Sequence, residues 1–305
     1  MVCSPCLRRS AVLAAVAPAI AQLGLRQYSL LSLLGASEDE LLAAGKVKNP
    51  RAFLRGLQMP ALTGSVPTAL CLHDADYPRA FRELPNAPSV LYATCAPKRL
   101  RELLSSPTNP RVAIVGTRGL TPYAAQVTFA LARDLARAGV TVVSGVNEGP
   151  ESVAHKGALK GGGRTVAVMA CSPDLSHLTR YDSLHRRILA RGASVSEFPP
   201  GFFEGQRWCF IASQRILAAL ADILVVVDAG GFSLAALTSQ LATDLGRDIA
   251  VVPCRLTDPG GQRMLRLLRD GVPPVANADD VLELIHGAGA RRPAISGPEP
   301  REVAA

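Results

Sequence analysis

Two apolar runs that each empty into a glycine turn constrain this chain more than any other feature. Val112 to Val115 leads into Gly116-Thr117-Arg118, a helix-period segment runs from Tyr123 to Ala138, and Val140 to Val143 leads into Ser144-Gly145. A short apolar run, a crossover helix and a second short run form a βαβ unit, whose two strands lie parallel. Both turns therefore open on the same carboxyl edge of one sheet, where open α/β folds bind ligands. Glycine lets backbone N–H groups approach an oxyanion, a helix start adds partial positive charge, and Arg118 has the fork geometry that suits phosphate. The same glycines would also appear in turns that are merely tight, so the motif alone leaves both readings open.

The pattern repeats along the chain. Apolar runs at Ser89–Ala93, Thr165–Met169, Ala193–Ser196, Ile223–Val227 and Ile249–Val252 alternate with helix-period segments at Ser183–Ala190, Ala212–Ala219, Ala235–Leu245 and Arg263–Arg269. This alternation predicts an α/β fold with a mostly parallel sheet and helices on both faces. Before it, Arg8-Arg9 precedes an apolar stretch from Ala11 to Ala21 that is too short to span a bilayer and is interrupted by Pro18. Continuation into Leu23–Leu34, then Ser37 three residues ahead of Glu40, reads as packed helices with a capping box rather than a leader. Residues 1–66 are expected to be a small helical domain and linker, 67–286 the core, and 287–305 a disordered tail.

Several motifs, taken in order, resemble the DNA-processing protein A (DprA, or Smf) family. They are Gly116-Thr117-Arg118, Ser144-Gly145 with Gly149 following, Ala154-His155-Lys156-Gly157-Ala158-Leu159 and Gly162-Gly163-Arg164-Thr165-Val166. Upstream, His73-Asp74-Ala75-Asp76-Tyr77-Pro78 and Pro88-Ser89-Val90-Leu91-Tyr92 resemble the family's entry segment; downstream, Ser196-Glu197-Phe198-Pro199-Pro200-Gly201 and Gln214-Arg215-Ile216 resemble later elements. The resemblance runs from about Leu70 to Ile285. It implies an extended Rossmann-like core, preceded by a helical module similar to a SAM or helix-hairpin-helix domain. It also implies cytoplasmic binding of single-stranded DNA, a homodimer, and delivery of the strand to a RecA-type recombinase in natural transformation.

On that reading Gly116, Thr117, Arg118, Ser144, Gly145, Gly149, His155, Lys156, Arg164 and Arg215 surround the nucleic-acid backbone. Arg180, Arg186, Arg187 and Arg207 frame a channel, and Phe202, Phe203 or Trp208 supplies a stacking ring. A solvated face for Lys156, a packed or capping role for His155, a core-edge place for Arg215 and a buried Trp208 are the competing readings. Glu197 and Asp228, at strand ends, are candidates to hold a ribose hydroxyl, a base edge or a metal.

The chain departs from the family's pattern at three places. Asn147-Glu148-Gly149-Pro150-Glu151 sets carboxylates beside the second turn, Ser213 replaces a basic residue, and Leu234 stands where a glycine is usual. These departures predict strand binding that is weakened, retuned or lost. About twenty residues follow Ile285, too few for the winged-helix module that many family members carry.

The formal charge of +8 permits a polyanionic partner. No nucleophile–base arrangement is evident, so binding rather than an enzymatic reaction is expected, with no cofactor and no membrane. A nucleotide-binding sensor or phosphoribohydrolase-like protein is the alternative; against it, Asp228-Ala229-Gly230-Gly231-Phe232-Ser233 lacks the threonine and glutamate of the "PGGxGTxxE" loop such enzymes carry. A degenerate paralogue kept as a scaffold is a third reading. Seven cysteines at scattered positions read as reduced cytoplasmic thiols. Cys3-Ser-Pro-Cys6 has metal-ligand spacing, but no second pair and no histidine cluster follow it, which argues against a metal or redox site.

Overall fold

The computed structural model describes all residues except 1, 107, 175–181, 204, 231–232, 259 and 292–305. Four helices come first: α1 (Ser4–Gln22), α2 (Gln27–Gly35), α3 (Glu38–Ala44) and α4 (Pro50–Gly56). The core follows as β1 (Thr68–Cys71), α5 (Arg79–Arg82), β2 (Val90–Ala93), α6 (Pro97–Leu104), β3 (Arg111–Val115), α7 (Pro122–Arg137), β4 (Thr141–Gly145), α8 (Pro150–Lys160), β5 (Thr165–Val168), α9 (Asp182–Arg191) and β6 (Ala193–Ser196). It closes with α10 (Arg207–Leu220), β7 (Ile223–Val226), α11 (Leu234–Asp244), β8 (Asp248–Val251), α12 (Gly261–Arg269) and α13 (Ala278–Arg291).

The eight strands form one sheet in the order β1-β2-β6-β5-β4-β3-β7-β8. Pairs from β6 to β8 are parallel, while β1–β2 and β2–β6 are antiparallel. The expected α/β architecture is observed, with β1 as a strand that the short, cysteine-ended segment Thr68-Ala-Leu-Cys71 does not announce. Alternate residues of β3 point to opposite layers: Val112 and Ile114 pack with α7, α8 and α13, and Ala113 and Val115 pack with α10 and α11. The chain builds outward from β3 to β6, then returns to the other flank of β3 as β7, so the strand order reverses at the β3/β7 boundary. A crevice at such a reversal is the usual ligand position of an open α/β sheet.

The four leading helices do not stand apart from this core. Val12, Val16, Leu30, Leu34, Leu41 and Leu42 share one apolar cluster with Phe198, Trp208 and Leu237 of the core. Leu30, Leu34, Leu41 and Leu42 are at most 2% exposed, and each fully buried leucine is worth about 1.5–3 kcal/mol. Those burials dock the helices on the core. Arg9 adds polar stitching by donating to the Leu34 and Ala36 carbonyls at the end of α2 (2.6 and 2.7 Å). Ser37 and Glu40 make the expected capping box on α3. Among the described residues, no helix is long and apolar enough to cross a membrane. The last helix runs through Arg291, past the point where the sequence predicts the tail to begin; the rest of that tail lies outside the described residues.

Candidate nucleic-acid interface

The first turn sits at the strand-order reversal. Gly116 is glycine for a packing reason, since a Cβ there would lie 2.6 Å from Pro150 Cγ and 3.0 Å from Val227 Cγ2. The Thr117 hydroxyl accepts a 2.7 Å bond from the Gly230 amide, tying the loop after β3 to the loop after β7. Arg118 projects outward, its guanidinium 5.7 Å from the centre of the Phe210 ring on α10. Thr121 then caps α7 by accepting from the Ala124 amide.

The second turn holds a carboxylate of its own. Glu151, in the first turn of α8, is 4% exposed and its Oε2 accepts from the Asn147 amide (3.1 Å) and side chain (2.6 Å). Its carboxylate lies against the Cα of Gly145, where any side chain would collide with it. The glycine turn expected to hold a phosphate thus holds the chain's own carboxylate. Burial pushes the Glu151 carboxyl up to about 7, while hydrogen bonds from Asn147 and the charge of Arg118 pull it down. Gly149 adopts φ +107°, a conformation that favours glycine, and its α-carbon abuts the Arg118 backbone.

Ser144, His155 and Arg215 are placed where they cannot touch a ligand. Ser144 is fully buried and donates to the Ile114 carbonyl (2.7 Å). His155 is also fully buried; its Nε2 is 2.9 Å from the Gly145 carbonyl and its Nδ1 2.7 Å from the Thr165 hydroxyl, which itself donates to the Val142 carbonyl. Burial holds its pKa down at about 4, so the ring is neutral. Arg215 is 1% exposed and forms a two-pronged ion pair with Glu197 (2.5 and 2.6 Å), with further bonds to the Asn86 and Ala212 carbonyls. Its anion is internal, and so is the partner of Glu197.

Two more expected residues lie elsewhere. Arg164 precedes β5, so it stands at the amino edge of the sheet, where it donates to Asn109 Oδ1 (2.6 Å) and the Gly139 carbonyl (3.1 Å). Lys156 is exposed on α8 but does not line the crevice. Of the candidate rings, Phe202 and Trp208 are buried beside Phe198, and Phe203 is exposed. Arg186 and Arg187 are exposed on α9, and Arg180 lies outside the described residues. Asp228 is buried at the end of β7, its pKa raised by burial and by Asp258. Leu234 is the first residue of α11, a helical position that needs no glycine freedom, and Ser213 points inward to the Phe210 carbonyl.

What remains open is a crevice of about 550 Å³ bounded by Gly116, Thr117, Arg118, Phe210, Arg207 and Gly230, with Asn147, Glu148 and Glu151 of the second turn on its wall. It adjoins a second groove of about 580 Å³ between α10 and the leading helices, lined by Arg26, Tyr28, Gln206 and Trp208. Gln27 and Arg207 line both. Together they form a track bearing three exposed arginines, 26, 118 and 207, with Phe210 at one end and the 64% exposed Tyr28 at the other. Cations spaced along a groove and interleaved with rings suit a single strand, whose phosphates and bases need both. Arg26 and Tyr28 carry no signal in the sequence, because only packing of the leading helices brings them to the sheet edge.

Comparison with known proteins agrees with this architecture. Residues 68–286 match the model of the family described as DNA recombination-mediator protein A. A DNA processing protein DprA of Mycobacterium tuberculosis is 39% identical over 72% of this chain and 54% of its own length, so the chain spans about half of that curated relative. The Streptococcus pneumoniae DNA processing protein DprA is 27% identical over 85% of this chain and 93% of its own. The crystal structure of DprA from the same species superposes with a TM-score of 0.68 at 22% identity, covering 91% of this chain and 95% of that one. A structure of DNA processing protein A from Helicobacter pylori, which concerns that protein's single-stranded DNA binding mode, superposes with a TM-score of 0.62 at 29% identity over 72% of this chain and 97% of its own. With the sheet order, the ordered motifs and the family match covering most of its length, the chain belongs to the DNA recombination-mediator protein A family.

Proposed function

We propose that this protein binds single-stranded DNA along the track from the β3/β7 crevice to the start of α2, without turning it over. The observation that carries the reading is the juxtaposition of Arg118 with Phe210 in a crevice that shares Arg207 and Gln27 with the groove holding Arg26 and Tyr28. Phosphates lie against the arginines and bases stack on the rings. The binding mode of the Helicobacter pylori relative supports the ligand class. Delivery of the strand to a RecA-type recombinase during DNA uptake, and a homodimer, are carried over from the family and have no surface assigned to them. Seven free cysteines support a reducing cytoplasm as the setting.

The deciding experiment is fluorescence anisotropy with a labelled oligo-dT strand across a salt series, for the wild type, Arg118→Ala and Lys156→Ala. Binding that weakens with salt, with a log–log slope lowered by about 0.7 in Arg118→Ala and unchanged in Lys156→Ala, supports the track. No binding at low salt refutes it, and retained nucleotide binding with little salt dependence would favour the sensor reading.

A further inference from the structure

The fold answers the objection that Cys3-x-x-Cys6 lacks partners. Cys71, at the end of β1, and His73, in the turn after it, come to the start of α1, where Cys3 is the N-cap and Cys6 lies one turn in. His73 Nδ1 lies 3.3 Å from Cys3 Sγ and 3.4 Å from Cys6 Sγ, and Cys71 Sγ lies 3.9 Å from Cys3 Sγ. All four donor atoms fall within 4.8 Å of one another. A tetrahedral zinc ion with bonds of about 2.3 Å to sulfur and 2.0–2.1 Å to nitrogen requires donor–donor edges of roughly 3.5–3.8 Å. We propose that Cys3, Cys6, Cys71 and His73 form a structural zinc site of the three-thiolate, one-imidazole type.

Three further observations support it. The set is complete, with four protein donors and no carboxylate, which is the composition of a closed structural site rather than a catalytic one with an open position. The turn that presents Cys71 and His73 is braced from outside: Asp74 Oδ2 accepts from the Cys71 amide (2.8 Å), and Arg82 donates to the Leu72 carbonyl (2.7 Å) and the Asp74 carbonyl. Cys6 and Cys71 also sit on an apolar floor of Val66, Val90 and Tyr92, which limits solvent at the thiolates. Free thiols that merely fill a core need no imidazole among them.

Location gives the ion a use. It joins α1 to the edge strand of the sheet, closing a chain segment of more than sixty residues. α1 spans about 28 Å at 1.5 Å per residue, and its far end, Ile20 and Ala21, lines the groove beside Tyr28 and Arg207. Zinc at one end of α1 therefore fixes the wall of the track at the other.

The test is elemental analysis of protein purified without chelator, together with Co(II) uptake by metal-free protein followed in the visible spectrum. The expected result is one zinc per chain, and a tetrahedral thiolate–Co(II) spectrum of one equivalent that zinc abolishes. Cys6→Ser and His73→Ala should lose it; Cys95→Ser and Cys254→Ser, outside the cluster, should keep it. His73→Cys guards against misfolding as an explanation, since it should retain one equivalent with a spectrum shifted toward four sulfurs. No metal uptake by a folded protein with reactive Cys3, Cys6 and Cys71 overturns the proposal. So does a Cys3–Cys71 or Cys3–Cys6 disulfide found by mass spectrometry in freshly purified protein.

Discussion

The two glycine turns at the carboxyl edge have similar sequences and opposite fates. After β4, Gly145 is pressed against the Glu151 carboxylate, which also accepts from the Asn147 amide. After β3, Gly116 packs against Pro150, the edge stays open and Arg118 reaches the surface. Arginines divide in the same way: Arg215 is locked to Glu197, whereas Arg118 faces the groove beside Phe210. An anion-binding pattern in a sequence therefore identifies positive potential without saying whether the anion is a ligand or one of the chain's own carboxylates.

The largest expected effect tests the closed half. Arg215→Ala leaves Glu197 buried without its partner, which should cost about 3–5 kcal/mol of stability in urea unfolding. A loss below about 1 kcal/mol would mean that Arg215 is not part of the packed interior. Titration of the second turn probes the same half. The Glu151 carboxyl is raised from 4.5 to about 7, so its favourable contribution is full below pH 4.5 and is lost as pH rises through about 7. The His155 pKa is lowered from 6.5 to about 4, so its contribution is full above pH 6.5 and is lost as pH falls through about 4. Each contribution is on the order of 3 kcal/mol, and the two oppose each other between about pH 4 and 7. Glu151→Gln should unmask the histidine, giving a stability that rises more steeply from pH 4 to 6.5 than that of the wild type. A mutant profile that parallels the wild type would contradict the buried carboxylate.

Smaller effects belong to the open half. Phe210→Ala removes a stacking surface and should weaken oligo-dT binding by about 1–3 kcal/mol, with little change in salt slope. Tyr28→Ala should do the same at the other end of the track, which would separate a two-groove path from a single pocket. A mutant with normal affinity would remove that ring from the path.

Much of the core was legible because strands covered on both faces read as unbroken apolar runs, as Val112–Val115 and Ile223–Val227 do. Caps were legible too, since Ser37 and Glu40 are local. Strand β1 was not, being four residues of mixed polarity beside a Pro/Gly-rich linker. The site was only half legible, and distance in sequence explains the rest. Glu197 lies eighteen residues from Arg215, Cys71 and His73 lie more than sixty from Cys3, and Tyr28 reaches the edge only through the apolar cluster that docks α2. Arg164 failed for a different reason: its motif adjoins the site in sequence, but the residue precedes β5, which runs parallel to β4, so it falls on the amino edge rather than the carboxyl edge.

The most direct test of the open-track reading is photocrosslinking of a 5-iododeoxyuridine oligonucleotide to the protein, with the modified residues read by mass spectrometry. Crosslinks at Phe210 and Tyr28 are predicted. Crosslinks confined to the face of α8 around Lys156, or to the amino edge around Arg164, would contradict it.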